Sequence, residues 1–369
     1  MSQRLQRHHG RTTPYGRRRA LLVAALAFLA ATAFAAPRHL LNNDEGRTSL
    51  LDDKGRSSLL DGQDRSYLST DGWPLRGQGA YVLGNGRPAV SPHQQPVPIA
   101  SVAKVMTAYV VLKHVPLRVD DSGRRFVVGQ DDVVDTETRR REGQSVVDVR
   151  AGEQLTERDA LMAILLASAN NIAVLVARQV SGRVASFVAE MNDSARALGM
   201  SHTTYTDPSG YDDGTVSTAL DQLRLAQVVA KDETLAAMMA TRSYWLPVGE
   251  VTNTNALLGQ NGFVGMKTGS DEAAGGCFMF RAVWPTESGN RSLIGVVLGQ
   301  RGDNLMTAGL YAAKQLVDRL APNAAPSETS STSGSAGRLS TGQPGLATPA
   351  GAYRRHIENH IRAGNTSLP

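Results

Sequence analysis

Residues 99–112 read IASVAKVMTAYVVL, a stretch that joins a serine, a lysine and a long apolar run. The spacing of its apolar residues predicts a helix over residues 103–115. If Ser101 opens this helix, Lys104 lies one turn further along the same face, where its amine can reach the serine hydroxyl. A hydroxyl is a poor nucleophile until a base removes its proton, and a lysine is such a base only when burial or a neighbouring cation lowers its pKa. The alternative is an ordinary helix-capping serine followed by a solvated lysine.

A second candidate motif is Ser168-Ala169-Asn170, which follows an apolar stretch at residues 161–167. A break in the helix at that point would direct both polar side chains into a cleft. The alternative is a plain helix C-terminus with the asparagine in a left-handed turn. The same spacing occurs at Ser288-Gly289-Asn290, but those residues fall in a predicted hairpin loop and are not taken as a site.

A third motif, Lys267-Thr268-Gly269, precedes a predicted strand at Phe278. The chain has 39 Lys and Arg residues, and only six of them are lysines. Two of these six lysines, Lys104 and Lys267, lie in the candidate motifs, although arginine is the usual basic residue of this chain. The glycine would let a substrate backbone lie against the strand edge, and the lysine would hold a substrate carboxylate. The backbone N–H groups of Ser101 and Ser270 would form an oxyanion hole. A lone Lys-Thr-Gly is otherwise a turn.

Composition limits the classes of protein that this chain can be. It has 369 residues, 41% of them hydrophobic, which suffices for a packed core. Its formal net charge is +5, and its arginines are scattered with few aromatic residues among them, which argues against nucleic acid as a partner. Cys277 is the only cysteine, so no intrachain disulfide can form. His356 and His360 have no further ligands near them in the sequence, so neither a metal nor a cofactor is predicted.

The chain is expected to divide into four segments. The start is rich in arginine and leads into an apolar stretch at residues 20–36, which is typical of a secretory signal and leaves an uncleaved anchor open. The segments are 1–36, a signal peptide or N-terminal anchor; 37–75, a polar linker with nine-residue repeats; 76–320, the folded domain; and 321–369, a disordered tail rich in Ser, Thr, Gly, Ala and Pro.

Within the folded domain, hydrophobic periodicity and turn residues predict the main elements. Thr156 and Asp159 form a capping pair at the start of a helical region. The predicted elements are strands at 80–83 and 88–90 around a tight Asn85-Gly86 turn, helix over 157–199, strands at 278–283 and 292–298 around a loop at 287–290, and a helix at 305–320.

With these residues in view, the chain resembles the D-alanyl-D-alanine carboxypeptidase family, the low-molecular-mass penicillin-binding proteins. The likeness covers roughly residues 77–320. Beyond the three motifs it includes LLASANNIA around Ser168, ALGM at 197–200, STALD at 217–221, NTNALL at 253–258 and GMKTG ending at Gly269, followed by Ala274-Gly275 and Cys277.

The resemblance implies a fold and a set of roles. The fold is α+β, with a mainly antiparallel sheet flanked by helices and a helical subdomain, as in β-lactamases and transpeptidases, and a cleft between the two. The roles are acylated nucleophile for Ser101, base for Lys104, proton relay for Ser168, substrate orientation for Asn170, and substrate binding for Lys267, Thr268, Gly269 and Ser270.

The resemblance also implies a substrate and a location. The substrate is a peptidoglycan stem peptide ending in D-Ala-D-Ala, whose terminal D-alanine is removed through an acyl-enzyme, with β-lactams as inhibitors. The enzyme is expected in the cell envelope, periplasmic or secreted, with membrane contact only through an uncleaved N-terminal segment.

Departures from the family pattern leave alternatives open. Ala169 replaces a glycine, and Asp271 stands where a threonine is usual. After Leu320 the sequence shows neither a strand-rich second domain nor a strong amphipathic anchor. A D,D-endopeptidase uses the same bond chemistry, so the sequence does not separate it from a carboxypeptidase. A β-lactamase would need a second base, and no Glu-x-x-Leu-Asn run follows Asn170. An inactive peptidoglycan-binding module would keep only the fold, and the presence of all five reactive side chains disfavours it.

Overall fold

The computed structural model describes residues 67–286 and 289–321. The predicted signal segment, most of the repeats, the tail after Ala321, His356, His360 and Ser288 lie outside the described residues. The strands are β1 Gln78–Leu83, β2 Ala89–Val90, β3 Val97–Pro98, β4 Arg125–Val127, β5 Gln154–Thr156, β6 Val216–Ser217, β7 Ser243–Leu246, β8 Gly249–Thr252, β9 Phe263–Asp271, β10 Gly275–Thr286 and β11 Gly289–Gln300. The helices are a 3-10 helix Ala100–Ala103, α1 Lys104–His114, α2 Gln130–Arg141, α3 Glu157–Leu165, α4 Asn170–Ser181, α5 Val184–Ala197, α6 Ala219–Val229, α7 Glu233–Met239 and α8 Leu305–Leu320.

A five-stranded antiparallel sheet in the order β2-β1-β11-β10-β9 is the largest sheet of the described chain. Nearly every residue of β10 up to Trp284 is buried, which indicates a strand covered on both faces. Helix α8 packs against β10 and β11, and α6 packs against β1 and β11. The strand β9 forms one edge of this sheet.

Helices α1 to α5 pack on one another and form the helical part of the molecule. The apolar faces of α3 and α4 are fully buried in the core that they share with α1. The predicted α+β class, with a mainly antiparallel sheet and helices around it, is confirmed.

Local signals predicted several element boundaries well. Thr156 and Asp159 form the expected capping box, with Asp159 N donating to Thr156 Oγ1 over 3.1 Å and Thr156 N donating to Asp159 Oδ2 over 3.0 Å. The helical region at 157–199 is divided into α3, α4 and α5, and the last helix has the predicted bounds.

Two local predictions were wrong, and one strand was not predicted. The β1–β2 turn closes with Gly86 N donating to Leu83 O, so its central residues are Gly84 and Asn85, and Gly84 takes the positive φ of 56° that favours glycine. Gly289 and Asn290 belong to β11, so the predicted loop at 287–290 is shorter than expected. The lysine motif lies inside β9, a strand that was not predicted, because its polar residues resemble a turn.

Among the described residues, no single helix is long and apolar enough to cross a membrane. Helices α4 and α5 reach that length and apolar character only when taken together, and the chain bends by 89° between them.

Candidate active site

Ser101 lies in the second position of the 3-10 helix that leads directly into α1. The preceding residue, Ala100, has a φ of 45°, in the left-handed region that residues other than glycine rarely adopt. Backbone hydrogen bonds hold this turn, with Ile99 N donating to Thr215 O over 3.3 Å and Val102 N donating to Ile99 O over 3.2 Å. The turn leaves Ser101 half-buried above a fully buried helix start.

Lys104 is fully buried, and its Nζ lies 2.7 Å from Ser101 Oγ. The same amine donates to the carbonyl oxygen of Ser209 over 2.8 Å. Burial, followed by the charge of Lys267, holds the pKa of Lys104 well below its usual value. A lowered pKa favours the neutral form of the amine, and the neutral amine can accept a proton from the hydroxyl beside it.

A turn at residues 207–210 positions Lys104 and was not singled out from the sequence. Asp207 accepts hydrogen bonds from Ser209 N over 2.9 Å, from Gly210 N over 3.0 Å and from Thr215 Oγ1 over 2.8 Å. These bonds fix the Ser209 carbonyl that Lys104 contacts. The stretch Asp-Pro-Ser-Gly is a typical turn sequence, and that signal could have located the turn but not its contact with Lys104.

Ser168 and Asn170 lie where the chain breaks between α3 and α4. Ser168 has a φ of 61°, and Asn170 is the first residue of α4. Both side chains are buried. Asn170 Nδ2 donates to Gln144 Oε1 over 2.8 Å, while its Oδ1 is buried without a hydrogen-bond partner among the described residues. The alternative of an asparagine in a left-handed turn is wrong, because Ser168 takes that conformation.

The edge strand β9 carries Lys267, Thr268, Gly269 and Ser270. Lys267 is buried, its Nζ donates to Thr268 O over 3.0 Å, and burial lowers its pKa to about 7. The hydroxyls of Thr268 and Thr254 are 2.7 Å apart. Ser270 is half-buried and is paired with Gly276 of β10.

The strand β9 and the 3-10 helix are in direct contact at Gly269. A Cβ on this glycine would lie 2.8 Å from Ser101 N and 3.0 Å from Val102 N. The structure therefore brings Ser101, Lys104 and the lysine motif together. No hydrogen bond joins Ser168 to Ser101, Lys104 or Lys267 in the described part of the chain, although Ser168 occupies the helix break next to Asn170.

A cavity of about 430 Å³ opens at the end of β9. Its lining consists of Tyr211, Asp212, Asp213, Asp271, Glu272 and Ala273. Asp271 Oδ1 accepts from Ala274 N over 2.6 Å, and burial raises the pKa of this carboxyl. The aspartate that departs from the family pattern thus closes the turn between β9 and β10.

The Ser101 hydroxyl lies beside the buried Lys104 amine, whose pKa is lowered, and the nearby edge strand carries a second buried lysine, Lys267. These are the groups of a serine acyl-transfer centre. The fold and the site together define the class of serine enzymes with a lysine in the position of the base. The chain belongs to the D-alanyl-D-alanine carboxypeptidase family, whose sequence model matches residues 89–302.

Similar proteins agree with that membership. A D-alanyl-D-alanine carboxypeptidase of Bacillus subtilis is 29% identical over 212 residues, which are 54% of this chain and 50% of that protein. A D-alanyl-D-alanine endopeptidase of Pseudomonas aeruginosa is 32% identical over 223 residues, 55% of this chain and 63% of that protein. The chain spans about half to two thirds of the length of these relatives.

Solved structures show the same fold. Penicillin-binding protein 5 of Haemophilus influenzae superposes with a TM-score of 0.57 at 25% identity, over 67% of this chain and 71% of that chain. The Streptomyces K15 DD-transpeptidase gives a TM-score of 0.57 at 24% identity, over 66% of this chain and 95% of that chain.

Proposed function

We propose that the protein is a serine D,D-peptidase that removes the terminal D-alanine from peptidoglycan stem peptides through an acyl-enzyme. The observation that carries the proposal is the 2.7 Å contact between Ser101 Oγ and the buried amine of Lys104. Family membership supports the choice of substrate.

In the acylation step, neutral Lys104 takes the proton of the Ser101 hydroxyl while Oγ attacks the carbonyl carbon of the penultimate D-alanine. The N–H groups of Ser101 and Ser270 stabilise the oxyanion that forms. When the peptide bond breaks, Ser168 relays the proton held by Lys104 to the amine of the departing D-alanine, which returns Lys104 to its neutral form. Water then hydrolyses the ester on Ser101, which restores the hydroxyl and releases the shortened peptide.

Substrate binding falls to the edge strand and to Asn170. Lys267 in its charged form and Thr268 hold the terminal carboxylate, and binding of that carboxylate favours the charged form of Lys267. Gly269 lets the substrate backbone lie close to β9, and the Asn170 carboxamide orients the substrate amide. β-Lactams, which carry a carboxylate and a reactive amide, are the expected inhibitors.

The remaining assignments concern the whole chain. The domain at 76–320 acts outside the cytoplasm, periplasmic or secreted, after export directed by residues 1–36. Residues 37–75 and 321–369 are a linker and a tail. An uncleaved N-terminal segment would bring the enzyme into contact with the membrane, and the proposed steps use no cofactor.

A second candidate function is D,D-endopeptidase activity on peptidoglycan cross-bridges. It is favoured by the 32% identity to the endopeptidase of Pseudomonas aeruginosa. Both reactions break a bond after a D-alanine carbonyl, so they differ in the group that leaves.

The test measures D-alanine release from a D-Ala-D-Ala pentapeptide and cleavage of a cross-linked peptide dimer in parallel. We expect release from the pentapeptide by the native protein, none by Ser101→Ala, and full activity for Ser243→Ala, which changes an exposed serine on β7. Cleavage of the dimer without release from the pentapeptide would contradict carboxypeptidase activity and support endopeptidase activity. Absence of cleavage of both peptides would overturn both proposals.

A further inference from the structure

The chain has the geometry of a Schellman motif at the C-terminal end of α2, over residues 139–144 (RRREGQ). Gly143 takes a φ of 73° and its N–H donates to Arg140 O over 3.0 Å, while Gln144 N donates to Arg139 O over 3.0 Å. In this motif the side chains three residues before the cap and two residues after it meet, commonly through an apolar contact. Here the two residues that meet are Arg139 and Gln144.

Their contact is polar. Arg139 Nη1 donates to Gln144 Oε1 over 3.1 Å, and Arg139 Nε donates to Asp135 Oδ2 over 2.6 Å. On its other side, Gln144 Nε2 donates to Glu142 Oε2 over 2.8 Å. A guanidinium has only donors and a carboxylate only acceptors, so the two neighbours allow a single orientation of the Gln144 amide.

That orientation fixes the next amide. Gln144 Oε1 accepts a second hydrogen bond, from Asn170 Nδ2 over 2.8 Å. Since Gln144 offers an acceptor there, Asn170 must present its NH₂ group to Gln144 and its Oδ1 away from it. This Oδ1 is buried and has no hydrogen-bond partner among the described residues, and a buried acceptor without a partner is costly unless something binds it.

We propose that Arg139 and Gln144 are positioning residues that hold the Asn170 carboxamide in a single orientation toward the bound peptide, with Oδ1 turned away from Gln144. This inference rests on the proposed function. Arg139 has a second effect on the same site, because its positive charge is among the causes that lower the pKa of Lys104, after burial and Lys267.

The backbone of the loop has its own attachments. Asn170 N donates to Ser145 O over 2.8 Å, and Asn171 Nδ2 donates to Val147 O over 2.8 Å while its Oδ1 accepts from Val147 N over 3.2 Å. The loop therefore keeps its place when the Gln144 amide is removed, and a substitution there tests orientation of Asn170 and not the position of the loop.

The experiment measures the rate of acylation by a fluorescent penicillin, together with the melting temperature. Gln144→Leu leaves the buried Asn170 Nδ2 without its acceptor, so we expect a modest fall in melting temperature for a variant that still folds. The double variant Arg139→Leu/Gln144→Leu adds the apolar contact usual in this motif and should melt at a higher temperature than Gln144→Leu. Their acylation rate should fall about 10- to 100-fold, the cost of a misplaced binding group. Gln144→Glu keeps an acceptor for Arg139 and Asn170 and should retain most of the rate. Arg140→Leu is the matched control, since Arg140 pairs with Glu137 and Asp148 on the surface.

A double-mutant cycle separates positioning from other effects. In an Asn170→Ala background, Gln144→Leu should cause no further loss of rate. Acylation of Gln144→Leu at the native rate, an equal loss in the Asn170→Ala background, or an equal loss in Gln144→Glu would overturn the inference while the native protein still acylates. Absence of acylation in the native protein would instead overturn the proposed function.

Discussion

Gly269 of the edge strand lies directly against the backbone nitrogen of Ser101, so that a Cβ on Gly269 would stand 2.8 Å from that nitrogen. Ala100 Cβ would be 3.3 Å from the same added atom. The 3-10 helix and β9 are separated by more than half of the folded chain, yet their backbones are in direct contact at Gly269. The spacing of Ser101 from β9, and with it the spacing of the two N–H groups proposed as the oxyanion hole, depends on this glycine.

Replacing Gly269 by alanine should therefore disturb acylation more than folding. The added methyl group pushes β9 away from the 3-10 helix, and a displacement near 1 Å costs on the order of 100-fold in rate. The rate of labelling by fluorescent penicillin checks this. Gly129→Ala is the control, because its φ is −88° and its added Cβ would lie 3.4 Å from Asp132 Oδ2, an ordinary contact. Native labelling by Gly269→Ala would contradict the proposed role of this contact.

Substitution of Asp207 by alanine should both destabilise the fold and slow acylation. It leaves the N–H groups of Ser209 and Gly210 without their acceptor, and a buried unpaired donor costs about 1–3 kcal/mol. It also releases the Ser209 carbonyl that contacts Lys104. Denaturant unfolding and the acylation rate measure the two effects. Asp148→Ala, which breaks a surface ion pair, should cost less than about 1 kcal/mol and leave acylation unchanged. Equal behaviour of the two variants would refute the role given to Asp207.

The acylation rate should depend on pH in a bell-shaped manner. Acylation needs neutral Lys104, so the rate rises with pH through the pKa of that amine, which burial and then Lys267 hold well below 10.5. Carboxylate binding needs charged Lys267, so the rate falls as pH rises through the pKa of Lys267, about 7 in the empty site. The second-order acylation rate from pH 4 to pH 11 checks the two limbs. A rising limb centred near the ordinary lysine pKa of 10.5 would show that Lys104 is not the base.

Lys267→Met should raise the free energy of unfolding while it weakens carboxylate binding. Burial of a charged amine without an ion-pair partner is costly, and an apolar side chain of similar size removes that cost. The pKa of Lys267 is about 7 in the folded protein and 10.5 in the unfolded chain. Between pH 7 and pH 10.5 the unfolded chain therefore binds more protons than the folded protein, and the free energy of unfolding of the unsubstituted protein rises with pH.

The advantage of Lys267→Met is therefore largest at and below pH 7 and shrinks toward pH 10.5, as urea unfolding at several pH values would measure. Lys231→Met, which changes an exposed lysine, should show no such trend. A difference between native protein and Lys267→Met that does not vary with pH would show that Lys267 is not held neutral by burial.

The features that the sequence predicted correctly depend on neighbours in the chain. The capping box of Thr156 and Asp159 and the periodicity of α8 involve contacts between residues three or four apart. The approach of Lys104 to Ser101 also follows from one turn of helix, and for this reason the spacing alone predicted it.

The features that escaped prediction depend on contacts between distant segments. The strand β9 was missed because Lys267, Thr268 and Gly269 are polar or small, and only packing against the 3-10 helix buries them. Asp207 and Gln144 are ordinary turn and loop residues by their sequence, and only the fold brings them to Lys104 and Asn170. The one-residue error in the β1–β2 turn has a local cause, since Gly84-Asn85 and Asn85-Gly86 are both good turn pairs.

The most direct test of Ser101 as the acylated nucleophile is mass spectrometry of the protein after incubation with penicillin, followed by mapping of the modified peptide. The native protein should gain the mass of one penicillin on the peptide that contains Ser101, and Ser101→Ala should gain none while it remains folded. An adduct of the same mass on Ser101→Ala, or on a peptide that lacks residue 101, would contradict the assignment.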